Sequence, residues 1–185
     1  MKILDIGCGN SKIKAESPND KVIGIDIAKL KGVNIVHDLE KTPLPFKNDE
    51  FDAVVSHHVL EHIRNFIPLM NDIWRITKKE GIVRIKTPFY SSWGQFNDPT
   101  HVRFFTPFTF SYFEGDNIYS HEVKKIGKKI NFKVEKVRIN FGIGKSSIMN
   151  RVFNPILNIN HRFYCRFFAW IFPAAEIEFV LRVVK

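Results

Sequence analysis

The sequence predicts an α/β domain built on a mostly parallel sheet of seven strands with helices on both faces. Five short apolar runs in the first half each end in polar or turn residues, as buried parallel strands do. An amphipathic segment with helical spacing separates the fourth run from the fifth, which predicts a strand–helix–strand unit. With 185 residues, of which 44% are hydrophobic, the chain can bury one core, so we expect a single domain over residues 1–185.

The strands are predicted from apolar runs in the first half and from alternating patterns in the second. They are Lys2–Ile6, Val22–Asp26, Asn34–His37, Phe51–Ser56, Gly81–Thr87, Phe132–Asn140 and Ile177–Val184. The first connection is short and contains Pro18, so its helix is expected to be short or missing. Apolar residues recur at helical spacing from Leu60 to Trp74, which predicts one crossover helix that ends before Lys79.

The second half contains two aromatic segments. Residues Pro88–Gly115 resemble a loop, and a loop this rich in aromatic side chains is expected to pack over something. His121–Ile130 is predicted to form a short helix. Residues Ser146–Phe172 are predicted to form one or two amphipathic helices broken near Pro155, with arginines between the aromatic residues. Such a stripe is typical of a helix facing the core, and also of an interfacial membrane anchor.

The positive charge lies in the second half of the chain. Residues 1–80 contain 12 Lys/Arg and 12 Asp/Glu, whereas residues 81–185 contain 16 and 7, which accounts for the net charge of +9. A basic surface attracts phosphorylated substrates, nucleic acid or anionic membranes, and it can also be simply a solvated lysine-rich face. Two cysteines exclude a disulfide framework, and the apolar runs are too short to span a membrane. A charge follows Met1 before any apolar run develops, so we expect no signal peptide and a cytoplasmic protein.

A glycine turn follows the first predicted strand. Gly7 and Gly9 allow backbone to approach a ligand without side-chain bulk. The second strand ends in Asp26, and an acid at that position can accept both hydroxyls of an adenosine ribose. Lys12 stands where a dinucleotide-binding turn has its third glycine, which disfavours a pyrophosphate cradle and a nicotinamide-dependent oxidoreductase.

Two more aspartates are candidates for this ligand. Asp5 could face an ammonium group of a ligand with an amino-acid tail, or it could cap the turn. Asp38 could accept the exocyclic amine of adenine while Leu39 lies against the ring, although Asp at a strand end often only forms a turn.

Five ordered segments resemble the class I S-adenosylmethionine-dependent methyltransferases, in particular the small-molecule branch called type 11. They are Leu4–Gly9, Gly24–Asp26, Asp38–Leu39, Phe51–Asp52 and Leu60–Ile63. The resemblance implies a Rossmann-like sheet with an antiparallel last strand, S-adenosyl-L-methionine as cofactor, a cofactor-binding half over residues 1–88, and a half over residues 89–185 that covers the acceptor site. It implies a cofactor-binding set of Asp5, Gly7, Cys8, Gly9, Asp26, Ile27, Asp38, Leu39 and Ser56.

The resemblance also implies acceptor-site residues. His57 matches a position that faces the methyl group. The segment Asn97–Phe105 is similar to one in an uncharacterised subset of these enzymes, some of them associated with surface-glycan pathways. His101 or Asp98 could reach an acceptor and remove its proton, or Asp98 could cap a turn and bind His101 structurally. Because the first crossover helix is abbreviated, we expect the aromatic segment Pro88–Gly115 to close the site.

We therefore expect a methyltransferase that acts on a small-molecule acceptor, such as a hydroxyl of a glycan- or lipid-related metabolite. Methyl transfer is an in-line displacement in which proximity can supply ~7–11 kcal/mol, so no metal is expected. The alternative is a catalytically silent sensor or scaffold that binds the same cofactor. Nucleic-acid methylation is disfavoured, because Ser56–Val59 lacks an Asn/Asp-Pro-Pro-Tyr/Phe motif. Peripheral membrane contact would involve residues 146–172, and the sequence does not specify an oligomeric state.

Overall fold

The computed structural model describes residues 1–115, 120–121, 123, 130–143 and 148–185. Its strands are β1 Lys2–Ile6, β2 Lys21–Asp26, β3 Ile35–Val36, β4 Phe51–His57, β5 Thr77–Pro88, β6 Phe132–Asn140 and β7 Glu176–Val183. They form one seven-stranded sheet in the order β3-β2-β1-β4-β5-β7-β6. Strands β1 to β5 pair in parallel, and β7 runs antiparallel to both β5 and β6. The predicted fold class is confirmed, including the antiparallel last strand.

The helices are shorter than the sequence pattern predicts. The helices whose bounds lie within the described residues are α1 Phe66–Ile76, α2 Trp93–Asn97, α3 Ile148–Leu157 and α4 His161–Phe167, with 3₁₀ turns at Leu60–His62 and Thr109–Phe113. The prediction of one helix from Leu60 to Trp74 is wrong, because Ile63 is extended between the first 3₁₀ turn and α1. Pro68 favours this break, since its ring would clash with the carbonyl of Arg64 in a continuous helix.

One face of the sheet carries the main core. Side chains of β1, β4 and β5, such as Leu4 and Val54, pack here with the apolar stripe of α1. Four rings of the aromatic segment are fully buried in the same core: Phe89, Phe105, Phe110 and Phe113. Phe110 makes an edge contact with Phe179 of β7, with 4.7 Å between ring centroids. These four rings therefore complete the core, and closure of the site by the rest of the aromatic segment stays a prediction.

The opposite face is open and polar at the centre of the sheet. No helix follows β1 or β2, as expected from the short first connection. A small apolar cluster around Ala53 and Val55 covers only the β1–β4 part of this face. Beyond it, β5, β7 and β6 present charged side chains, and α3 lies against β6 with Asn150 and Asn154 buried. The sheet thus leaves room for a cavity on this side.

Two helices form between β6 and β7, and their break differs from the prediction. Pro155 lies inside α3, and the chain leaves the helix only after Leu157. Asn160 then caps α4 by accepting a hydrogen bond from the backbone N–H of Phe163, 3.0 Å away. The predicted helix His121–Ile130 lies mostly outside the described residues. No helix in the described part of the chain is long and apolar enough to cross a membrane.

Candidate functional site

The glycine turn after β1 adopts the backbone that the sequence predicts. Gly7 and Gly9 have φ angles of 64° and 53°, a region that side chains disfavour. A Cβ on Gly7 would lie 2.3 Å from Cγ2 of Val59, whereas one on Gly9 would meet no atom within 4 Å. Gly7 is therefore required by both conformation and packing, and Gly9 by conformation alone.

Asp26 lies at the end of β2 beside this turn. Its Oδ2 accepts a hydrogen bond from the backbone N–H of Gly9, and its Oδ1 accepts one from Ala28, both at 3.0 Å. The carboxylate is only half-buried, so each oxygen keeps a lone pair for a further donor. Ile27, the next residue, is 68% exposed. This arrangement fits a ligand that offers two hydroxyl groups and an apolar surface.

Asp5 is buried under the turn. Its Oδ2 accepts a hydrogen bond of 2.8 Å from the backbone N–H of Ile13. Burial raises the pKa of this carboxyl, while the Ile13 bond and nearby Lys12 oppose the shift. Oδ2 of Asp5 therefore caps the turn, as one of the two alternatives predicts. Contact between the Asp5 carboxylate and a ligand ammonium stays a prediction.

Asp38 and Leu39 follow β3. Asp38 forms a turn, because its Oδ1 accepts a hydrogen bond of 3.0 Å from the N–H of Glu40 and its Oδ2 lies 3.8 Å from Nζ of Lys41. Leu39 is buried in the main core with 6% of its surface exposed. The adenine contacts expected of this pair stay a prediction.

Two small side chains complete the predicted cofactor set. The thiol of Cys8 donates to the carbonyl of Gly32 at 3.6 Å, and burial raises its pKa, so Cys8 acts as a small neutral side chain. Ser56 is buried at the end of β4, next to Ile6 of β1. Its Oγ has no hydrogen-bond partner among the residues that the structure describes. An unpartnered buried hydroxyl beside a glycine turn is consistent with a polar ligand at this edge of the sheet.

His57 lies at the same edge and lines a cavity. Because Ile6 pairs with Ser56, the residues that follow them, Gly7 and His57, both lie at this edge of the sheet. The cavity encloses about 520 Å³ on the open face of the sheet. It is lined by Ile13, Lys14, Glu16, Val55, His57, Arg84, Ile85, Lys86, Arg138, Asn140, Asn150, Asn154, Glu176, Glu178, Phe179 and Val180.

The charge state of His57 follows from its surroundings. Partial burial lowers the pKa of its imidazole, and the positive charges of Lys86 and His58 lower it further. The ring is therefore neutral at pH 7 and can accept a proton. An exposed, neutral histidine at the wall of a cavity is suited to general-base chemistry.

A charged network that the sequence analysis missed lies next to His57. His58 has a positive φ of 55°, and its Nε2 lies 3.0 Å from Oε1 of Glu176 while its Nδ1 lies 3.4 Å from Oε1 of Glu61. Both glutamates are buried, and Nζ of Lys86 pairs with the second oxygen of Glu176 at 2.7 Å. The two carboxylates raise the pKa of His58 to about 9, so it is an imidazolium at neutral pH. The sequence offered no local signal for this network, because Glu176 lies 118 positions after His58 in the chain.

His101 and Asp98 lie away from the cavity wall. Asp98 caps a turn by accepting hydrogen bonds from the N–H and hydroxyl of Thr100, at 2.8 and 2.6 Å. His101 hydrogen-bonds through Nδ1 to the carbonyl of Gln95 and has its Nε2 3.8 Å from Asp98. These contacts match the structural alternative for the pair, and the predicted catalytic role has no support from their position.

Three side chains near this turn present potential metal ligands. Among the described residues, Glu61, His62 and His101 bring one ligand atom each within 4.8 Å of one another. Glu61 already faces the His58 imidazolium, while the Nδ1 atoms of His62 and His101 bind Thr100 and Gln95. The expectation of a reaction without a metal therefore stays our prediction.

Sequence comparison supports the resemblance over the cofactor-binding half. Residues 4–85, a little under half of the chain, match the family described as a methyltransferase domain. An uncharacterized protein of Methanocaldococcus jannaschii is 36% identical over 90 residues, which are 43% of this chain and 37% of that protein. The chain thus spans well under two thirds of that relative's length.

Solved structures with the same fold cover almost the whole chain. A SAM-dependent methyltransferase from Archaeoglobus fulgidus superimposes with a TM-score of 0.58 and 16% identity over 98% of this chain and 85% of that one. Phosphoethanolamine N-methyltransferase 2 of Haemonchus contortus, in complex with S-adenosyl-L-methionine, superimposes with a TM-score of 0.57 and 18% identity, over 100% of this chain and 48% of that one. The chain therefore has the fold of these methyltransferases over almost its whole length, and the family match itself covers residues 4–85.

Proposed function

We propose that this protein transfers a methyl group from S-adenosyl-L-methionine to a small-molecule acceptor. The observation that carries the proposal is the position of His57, a neutral, exposed histidine that follows Ser56 next to the glycine turn and opens into the cavity. The cofactor would supply an electrophilic methyl group on a sulfonium. The protein's residues hold that group and align the acceptor with it.

The cofactor would be held by the residues around the turn. Asp26 accepts the ribose hydroxyls with the lone pairs left by its two backbone bonds. Ile27 and Asp38, with Leu39, would contact the base. Gly7 and Gly9 let the methionine portion approach the backbone, and Ser56 gives its free hydroxyl to a polar atom there. Asp5 balances the ammonium group, directly or through water.

The acceptor would enter the cavity on the open sheet face. His57 takes up the proton of an acceptor hydroxyl through its neutral imidazole, so that the oxygen becomes a better nucleophile. Arg138 and Lys14 line the same cavity and favour an acceptor with anionic groups, such as a glycan- or lipid-related metabolite. The reaction uses no metal, and the protein works in the cytoplasm or against a membrane through residues 146–172.

The test combines calorimetric binding with methyl transfer. The purified protein is titrated with S-adenosyl-L-methionine and, separately, incubated with methyl-labelled cofactor and fractionated cell extracts. Binding together with label in a small-molecule fraction supports the proposal. Binding without transfer to any fraction would favour the silent sensor or scaffold, and absence of binding would contradict both.

A further inference from the structure

The structure leaves a large apolar surface on α4 and the turn that follows it. Phe163 and Phe167 are each more than half exposed, although they follow one another at helical spacing. Beyond the helix, Trp170, Ile171 and Phe172 are also more than half exposed. The core-facing interpretation of this segment is therefore wrong for most of its apolar residues. We call α4 and residues 168–172, together with the outer side of α3, the apolar face.

Helix α3 continues the apolar face with its outer side. Val152 and Ile156 are exposed, and Ile159 in the following turn is 80% exposed. On its inner side, Asn150 and Asn154 are buried and line the cavity. One helix therefore touches the candidate acceptor site on one side and presents apolar side chains to the surroundings on the other.

The apolar face is held firmly to the rest of the domain. The hydroxyl of Tyr90 donates to the carbonyl of Cys165 at 3.0 Å, and the hydroxyl of buried Tyr164 donates to the carbonyl of Phe172 at 2.7 Å. Trp170 packs against Tyr90 and against the ring of Phe96 from the aromatic segment, with centroids 5.7 and 6.2 Å apart. These hydrogen bonds and ring contacts therefore fix the position of the exposed rings relative to the rest of the domain.

The charges within the segment that carries the apolar face have one sign. The chain has no Asp or Glu between Glu135 and Glu176, and that stretch contains six Lys and Arg residues. Arg162 and Arg166 are exposed on α4, with their guanidinium groups 5.8 and 5.6 Å from the ring centroids of Phe108 and Phe167. Exposed aromatic rings interleaved with arginines, in the absence of acids, complement an anionic lipid surface.

We infer that the apolar face docks the protein on an anionic lipid bilayer. Insertion of the rings into the headgroup region would remove them from water, while Arg151, Arg162 and Arg166 pair with lipid phosphates. Because α3 also lines the cavity, docking would bring the cavity wall close to the membrane. This inference deepens the proposed function: the acceptor is a lipid-linked molecule presented at the membrane surface.

The test is co-sedimentation of the full chain with vesicles of phosphatidylglycerol and phosphatidylcholine, compared with vesicles of phosphatidylcholine alone. We expect binding to the anionic vesicles that weakens with salt. Arg162→Glu and Arg166→Glu should each weaken binding by at least about fivefold, the effect of one basic residue at such a surface. The control is Lys79→Glu with Lys133→Glu, which reverses exposed charges at the other end of the strands and should leave binding unchanged.

A second variant tests the apolar contribution. Phe163→Ser with Phe167→Ser changes only exposed rings, so the circular dichroism spectrum should remain native while vesicle binding is lost. Equal binding of the wild-type protein to both vesicle types would overturn the inference. So would a wild-type protein that does not bind vesicles but forms a dimer, if the Phe163→Ser, Phe167→Ser variant is a monomer. Vesicle binding is measured without cofactor, so failure of methyl transfer alone would contradict the proposed function and leave the docking intact.

Discussion

His58 on β4's carboxyl end lies 3.0 Å from Glu176 at the start of β7, 118 positions further along the chain. The contact joins two neighbours of β5 across the edge where the candidate site lies. His58 adopts a positive φ of 55° to make it, a conformation that costs a non-glycine residue some backbone energy. The surrounding ion pairs therefore hold the backbone next to His57 in a defined position.

The first prediction concerns stability against pH. The pKa of His58 rises from 6.5 to about 9 on folding, because Glu176 hydrogen-bonds to the charged ring and the buried Glu61 carboxylate lies 3.4 Å from it. A raised histidine pKa gives stability that is fully present below pH 6.5 and lost as the pH rises through about 9. Because 43% of the side chain is exposed, we expect a loss of about 1–2 kcal/mol after screening. Urea unfolding at a series of pH values measures it.

The matched control for this titration is a second histidine. His58→Asn tolerates the positive φ and removes the charge, so the decline in the free energy of unfolding between pH 6.5 and 9 should disappear. In the described part of the chain, the His37 ring hydrogen-bonds only to the carbonyl of Lys41. The His37→Asn variant should therefore show the same decline in the free energy of unfolding as the wild type. If the free energy of unfolding still declines between pH 6.5 and 9 in the His58→Asn variant, groups other than His58 cause the decline.

The second prediction concerns cofactor affinity. Asp26→Asn removes the charge from a carboxylate held by Gly9 and Ala28, and should weaken S-adenosyl-L-methionine binding by about ten- to a hundredfold, as expected for hydrogen bonds to a charged group. Asp49→Asn makes the same chemical change at a surface position with a positive φ that Asn accepts. Calorimetric titration of both variants should show the loss only for Asp26. Equal affinities would exclude the ribose role.

The third prediction separates the two glycines of the turn. Gly9→Ala should cost about 1–2 kcal/mol of stability, since only its backbone is strained. Gly7→Ala adds a clash with Val59 and should cost about 1–3 kcal/mol more. Adding Val59→Ala to the Gly7 variant removes the clash and should recover part of that difference. Thermal unfolding of the four proteins provides the comparison, and no recovery would show that conformation alone determines the requirement.

The sequence was sufficient for the sheet because each strand carries its own signal. Buried strands such as Leu4–Ile6 read as apolar runs, and the glycine turn with Asp26 follows from local chemistry. The position of the β5 start at Thr77, before Gly81, was not predicted, because it depends on pairing with Phe51. Pairing partners far apart in the chain leave no local pattern.

The same reason explains the missed and misplaced site residues. Glu176 lies just before the predicted strand Ile177–Val184, and only the antiparallel placement of β7 brings it to His58. The rings of the aromatic segment were expected over the cofactor, but Phe110 packs instead under β7. Composition predicts that aromatic rings are packed, and only the tertiary fold decides against which surface.

The fourth prediction concerns the base. Burial and the charge of Lys86 lower the pKa of His57 below 6.5, so the transfer rate should be at its plateau at pH 7 and should fall only at pH values below 6.5. His57→Gln should reduce kcat by about 10²–10⁴ and abolish this acid limb, while the calorimetric Kd for S-adenosyl-L-methionine stays unchanged. His101→Gln, which removes a ring bound to Gln95, should lower the Tm and keep the limb. If the fall in rate at low pH survives in the His57→Gln variant and is lost in the His101→Gln variant, His101 is the general base and His57 is not.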